Sequence, residues 1–214
     1  PAGLSAAIHA RQCGLSVRVY EPKSTPIDKA CGEGLMPPAL RALEKMGAER
    51  PHGVSFKGIR YIDGTEHADG HFSAGPGLGV RRTELHRVLT KRIEELDIEI
   101  RAEAVQEWTQ DDDGVTVNGV KAKWLIAADG LHSRIRDALG VGLPARHPAR
   151  LGIRRHYAQA PWSPHVEVYL SPHAEAYVTP VSDDQVGVAI LYKKEAPPPT
   201  DGDPWERWIS AFPE

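Results

Sequence analysis

Two carboxylates and a glycine carry the sequence's clearest chemistry. Pro1-Ala2-Gly3 opens a helix-forming run, a short β-prone run follows, and Glu21 closes it. A glycine at a helix N-terminus leaves backbone N–H groups, reinforced by the helix dipole, free to receive a pyrophosphate. An acid at the end of the next strand, about 20 residues on, suits the hydroxyls of a ribose. Gly3 and Glu21 stand 18 residues apart. Only the third glycine of a G-x-G-x-x-G pattern is present, so a plain helix–strand pair with a surface Glu stays open beside the dinucleotide reading. The second acid, Asp129, lies in Lys123-Trp-Leu-Ile-Ala-Ala-Asp129-Gly130-Leu-His-Ser133-Arg-Ile-Arg136. This order predicts a buried strand ending in an acid at the sheet edge. Gly130 then allows close approach, and Ser133 caps the following helix.

Other reactive residue types are explained more simply. Cys31 has no nearby cysteine to resolve it and reads as a small loop residue. His67 and His71, with Asp69 between them, fall on a polar hairpin, and a solvated strand is favoured over metal ligation. Asp111 to Gly114 lacks the later ligands of a calcium loop and reads as a turn. Trp205, Trp208, Ile209 and Phe212 recur at helical spacing, which favours core packing.

The elements that must position these residues follow from pattern. Ala2–Cys13 is predicted helical with Gly14 as its stop, and Leu15–Tyr20 is predicted as a strand. Lys23–Gly34 reads as loop and Pro38–Met46 as a helix ended by Gly47. Lys57–Ile62 and Glu66–Phe72 flank Asp63-Gly64 as a hairpin. Thr83 is expected to cap a helix with Leu85, Val88, Leu89, Ile93 and Leu96 on one stripe. Strands are expected at Ile98–Val105, Val115–Val117 and Ala122–Ala128, then a helix at Ser133–Leu139. Beyond a change of character near Gly142 to Arg150, strands are expected at Leu151–Tyr157, Val166–Leu170, Ala174–Val181 and Val186–Leu191. The stiff Pro197–Pro199 stretch leads into a last helix, Trp205–Phe212. The early part alternates strand and helix; the later part has an antiparallel β pattern.

Composition sets the outer limits. The 214 residues carry a net charge of −3, which implies no basic surface for nucleic acid. No apolar run is long enough to span a membrane. Two cysteines argue against a disulfide framework and suit a reducing cytoplasm. The start at Pro1, inside helix-like sequence, points to a piece of a longer chain.

With the motifs in order, a family resemblance emerges. Asp129-Gly130-Leu131-His132-Ser133-Arg134-Ile135-Arg136 resembles the D-G-x-x-S-x-x-R signature of FAD-dependent aromatic hydroxylases. Pro1–Ala7 is similar to the end of that family's first FAD motif, and Val80–His86 to the segment whose arginine contacts FAD. Cys31-Gly32-Glu33-Gly34-Leu35-Met36-Pro37 resembles the C-G-G-G-L-x-P stretch of geranylgeranyl reductases, which share the fold. Tyr177–Leu191 resembles the substrate-domain hairpin of both groups. The resemblance implies an α/β, Rossmann-like FAD-binding domain over 1–145, with 53–80 as an inserted β hairpin region. It implies a partial antiparallel β substrate domain over 146–214.

The same resemblance implies cofactor roles for Gly3 (pyrophosphate), Glu21 with Lys23 (adenosine ribose) and Arg82 (flavin side). It also implies them for Val105 (adenine, through its backbone) and Asp129 (sugar). Gly32 and Gly34 would allow close passage beside the flavin ring. The family's early glycines are missing and its Gly-Asp motif is expected beyond Glu214, so parts of the FAD site are expected to lie outside the sequence. The activity implied is an NAD(P)H-dependent FAD monooxygenase hydroxylating a small organic substrate, without a catalytic side chain that can be named. Reduction of prenyl double bonds and a non-catalytic nucleotide-binding module are the alternatives.

Overall fold

The computed structural model describes residues 1–143, 148–196 and 202–213. The expected Pro197–Pro199 linker, and the 145/146 boundary itself, lie outside them. In chain order the first elements are α1 (Ala2–Gln12), β1 (Arg18–Tyr20), β2 (Gly34–Leu35), α2 (Pro37–Lys45), β3 (Val54–Phe56), β4 (Gly58–Asp63), β5 (Glu66–His71) and β6 (Gly77–Gly79). Next come α3 (Arg82–Glu95), β7 (Glu99–Arg101), β8 (Trp108–Asp111), β9 (Gly114–Val117), β10 (Val120–Ala122) and α4 (Arg134–Ala138). The last are β11 (Arg150–Tyr157), β12 (Val166–Leu170), β13 (Ala174–Ser182), β14 (Gln185–Lys193) and α5 (Pro204–Ile209).

Contacts divide the chain into two compact units. The first holds Pro1–Ile27, Met46–Glu49 and His86–Pro144; the second holds Asp28–Lys45, Arg50–Leu85 and Ala145–Glu214.

In the first unit, α1 buries Leu4, Ala7 and Ile8, and Gly14 ends it with φ +80°. Only glycine adopts that left-handed stop without strain. The chain then enters β1, which pairs in parallel with β7. Within α3, Val88, Leu89 and Ile93 are buried, a stripe that one apolar face produces. A meander, β8–β9–β10, completes the unit.

Several sequence expectations change here. The Ile98–Val105 strand stops at Arg101 because Asn118 takes over the backbone beyond it. Its amide donates to Ala104 O at 3.0 Å and accepts the N–H groups of Gln106 and Glu107. β8, where the sequence predicts no strand, pairs with β9 across the predicted Asp111–Gly114 turn, in which Asp111 accepts the Asp113 N–H at 2.9 Å. The Ala122–Ala128 strand ends at Ala122. Among the described residues no strand ladder includes 123–128, and Trp124 and Ile126 are 62% and 64% exposed. A β-prone run becomes a strand only where a partner satisfies its backbone.

The second unit is built on a six-stranded sheet in the order β11-β14-β13-β12-β4-β5. All its pairings are antiparallel except β12 with β4. The β4–β5 hairpin turns at Gly64, φ +58°, and forms one edge. Within residues 53–80, expected as an inserted β hairpin region, β4 and β5 thus share their sheet with strands after residue 148. A small sheet, β2-β6-β3, completes the unit. Its close fit requires Gly79, because a Cβ there would overlap the carbonyl of Pro180. On the large sheet, Ala176, Val188 and Ile190 pack with Trp205 and Trp208 of α5. The tryptophans are core, as their spacing predicts.

Candidate functional site

The first unit presents a helix start of the type an anion requires. α1 begins at Ala2, and its first turn holds no acid. Gly3 lies at this start. A Cβ added to it would come within 3.3 Å of the Ala128 Cβ, so the segment carrying Asp129 runs directly against the head of α1. The structure therefore brings together Gly3 and the Asp129 stretch, which the sequence separates by more than a hundred residues.

Asp129 is exposed. Burial pushes its carboxyl upward, but hydrogen bonding by the Ser133 side chain and by nearby backbone, including that of Ile135 and Arg134, holds it below the usual carboxylate range. Ser133 Oγ in turn accepts the Arg136 N–H at 3.1 Å, making it the α4 cap that the sequence predicts. The result is a charged, oriented carboxylate one residue from the α1 contact.

Glu21 directly follows β1, and its N–H donates to Arg101 O at 3.0 Å, extending the parallel ladder. Its Oε1 accepts the Lys23 N–H at 3.0 Å, so these two predicted residues form one turn. Val105 is half-buried in the connection after β7.

Arg82 falls in the second unit, at the first residue of α3. Thr83, the expected cap, sits inside the first turn instead. The start of α3 is met from far away in sequence: Glu33 Oε1 accepts the Arg82 N–H at 2.8 Å. A carboxylate at a helix N-terminus is favoured by the dipole. The Glu33 side chain is 1% exposed and is met by Arg154 Nη1 at 2.9 Å and His156 Nε2 at 2.7 Å. Arg154 also forms a two-point pair with Asp28, which lowers the Asp28 carboxyl. Gly32 O accepts from Thr179 Oγ1 at 2.7 Å, and Cys31 Sγ accepts the Glu33 N–H at 3.4 Å. The Cys31–Gly34 stretch is thereby tied down along its length. Arg82 Nε is buried and has no hydrogen-bond partner among the described residues.

Comparison with known proteins adds the decisive observation. Residues 1–207 match the FAD binding domain family. The chain belongs to that family. A flavoprotein/dehydrogenase from Cytophaga hutchinsonii superposes with a TM-score of 0.83 at 21% identity, over 99% of this chain and 58% of that one. The p-nitrophenol 4-monooxygenase of Pseudomonas putida superposes with a TM-score of 0.75 at 22% identity, over 92% and 56%. In sequence, a menaquinone reductase from Mycolicibacterium smegmatis is 38% identical over 66 residues, 28% of this chain and 16% of the relative. The chain therefore spans little more than half the length of these structures, and a smaller share of the curated relative.

As a member of the FAD binding domain family, the chain has the α/β flavoprotein fold that its motifs predict. The Glu33–Arg154–His156 cluster was missed as a unit, for a physical reason. Arg154 and His156 flank Arg155 in a mixed run on β11, and nothing in that pattern marks them as half-buried. One signal was available. Glu33 has φ +56°, and it stands where the resembling C-G-G-G stretch carries glycine.

Proposed function

We propose that this chain binds FAD and forms much of the cofactor-binding part of an FAD-dependent oxidoreductase. The favoured activity is NAD(P)H-dependent monooxygenation of a small organic substrate. The observation that carries the reading is Gly3 in the first turn of α1, packed on Ala128 beside the charged Asp129.

Each residue's task follows from its surroundings. Gly3 and the first amides of α1 would hold the pyrophosphate, because the helix start offers donors and partial positive charge without a competing acid. Glu21, fixed by the Lys23 turn, would accept ribose hydroxyls, and Lys23 would flank it. Val105 would offer backbone atoms to adenine. Asp129 would hold a sugar hydroxyl while Ser133 keeps its carboxylate oriented. For Arg82 the flavin-side role rests on the motif resemblance. The cofactor, when bound, supplies the redox chemistry. The chain's residues bind, orient and exclude water. Residues 1–145 are accordingly read as the FAD-binding part and 146–214 as part of a substrate-binding region.

The Cys31–Pro37 stretch, by its resemblance to geranylgeranyl reductases, supports a second reading, reduction of a prenyl carbon–carbon double bond. Product analysis on the purified protein separates the two. Oxygen consumption coupled to a hydroxylated product supports the first, and a saturated prenyl product without oxygen uptake supports the second. A protein that purifies colourless and takes up no flavin overturns both.

A further inference from the structure

We propose that Asp69, His71 and His165 form a binding site for a divalent transition cation of the zinc class. His71 and Asp69 lie on β5, and His165 immediately precedes β12, so all three belong to the second unit. The sheet explains their meeting. His71 registers with Gly58 of β4, and Val166 registers with the next residue, Ile59. The position between the two histidines is therefore Gly58. Glycine is required there, since a Cβ would overlap the Gly70 carbonyl. Two imidazoles can thus reach toward each other across the intervening strand with no side chain between them.

Their Nε2 atoms lie 3.3 Å apart, with the rings crossed at 81°. Two nitrogens bound to one tetrahedral zinc ion at about 2.0–2.1 Å each are separated by about 3.3 Å. The third donor lies on the same strand, two residues from His71. One ligand atom from each of the three residues falls within 4.8 Å of the others. His71 is exposed and can turn to close the remaining gap, whereas His165 is 5% exposed and fixed.

Asp69 is already oriented. Arg60, opposite it on β4, donates Nε to Oδ1 at 2.7 Å and Nη2 to Oδ2 at 2.8 Å. Each carboxylate oxygen keeps a lone pair beyond its bond to arginine, and an outer partner of this kind commonly aims a metal-binding carboxylate. Mixed imidazole and carboxylate donors favour zinc or a neighbouring transition ion over magnesium or calcium. Three protein ligands leave a fourth position to water.

Zn²⁺ titration of the chelator-stripped protein, in competition with a chromophoric chelator, tests the assignment. One equivalent should bind. His71→Ala should weaken binding by at least about tenfold, the lower end of what losing even an outer-shell partner does. His67→Ala, on the same strand but outside the cluster, should leave it unchanged. Co²⁺ should give visible ligand-field bands that His71→Ala abolishes. His71 is at the surface, so that variant folds even if a His165 variant does not. No uptake, or equal affinity in His71→Ala, overturns the site and leaves a hydrogen-bonded histidine pair. Flavin content plays no part in either readout.

Discussion

Glu33 concentrates opposing forces in one residue. Its left-handed backbone is a conformation that side-chain-bearing residues adopt at about 1–2 kcal/mol of strain, yet its carboxylate is buried among Arg154, His156 and the Arg82 amide. Removing one partner of a buried pair costs about 3–5 kcal/mol when the remaining charge is left unmatched. The lower end, about 3 kcal/mol, applies here because Arg154 keeps Asp28 as a partner. Glu33→Ala should lose stability on that scale, measured by denaturant unfolding. Glu33→Gly loses the same carboxylate but relieves the backbone, and should retain about 1 kcal/mol more than the alanine variant. Equal stability of the two variants would show that the φ angle carries no strain. Asp69 gives a second test at this scale, run with a chelator present. Its hydrogen bond from Arg60 outweighs burial and lowers its carboxyl to about 2 from 3.8. A depressed carboxyl contributes stability above its unfolded value and loses it as pH falls through the folded one. Any advantage over Asp69→Asn should therefore be constant near neutrality, shrink below about pH 4, and vanish below about pH 2. The advantage is modest, because the pair is solvent-screened.

At the scale of elements, the cap of α4 is the clearest lever. Ser133 accepts the Arg136 N–H and also interacts with Asp129. Ser133→Ala should cost about 1 kcal/mol, speed amide exchange at Arg136, and let the Asp129 carboxyl rise toward its ordinary value. Unchanged exchange at Arg136 would remove the cap from the argument. This cap was legible in the sequence because Ser133, Arg136 and the Gly140 stop are close neighbours in the chain. So were α1 with its Gly14 stop, the β4–β5 hairpin and the strands from β11 onward, where alternation and turn residues are local signals. What failed was non-local. The start of α3 depends on Glu33, 49 residues away. The early end of the Ile98–Val105 strand depends on Asn118, and the fate of Leu125–Ala128 on a partner backbone that local pattern cannot supply. The histidine pair is of the same kind: His71 was weighed with its strand neighbours, while its actual neighbour, His165, stands 94 residues on.

For the whole molecule, the family match over residues 1–207 runs through both compact units, so the signature resides in the order of motifs along the chain. The proposed cofactor geometry, by contrast, is concentrated in the first unit, where Gly3, Glu21, Lys23, Val105 and Asp129 all fall. That separation allows binding and stability to be perturbed apart. Gly3→Val would place a branched side chain where even a Cβ already meets Ala128 at 3.3 Å. Either α1 or the Ala128–Asp129 backbone must shift, and the pyrophosphate donors lose their alignment with the carboxylate. Flavin affinity should fall at least about tenfold, equivalent to about 1.4 kcal/mol, while the core of the second unit is untouched. Trp208→Ala acts the other way. Trp208 is 4% exposed and stacks on Tyr192 with ring centres 4.7 Å apart, so its loss should destabilise the second unit by about 3–5 kcal/mol. Well below its melting temperature, that variant should still take up flavin as the parent does. Flavin fluorescence quenching on titration, read beside a thermal melt of each variant, distinguishes the two effects. Full flavin affinity in Gly3→Val would remove α1 from the cofactor site.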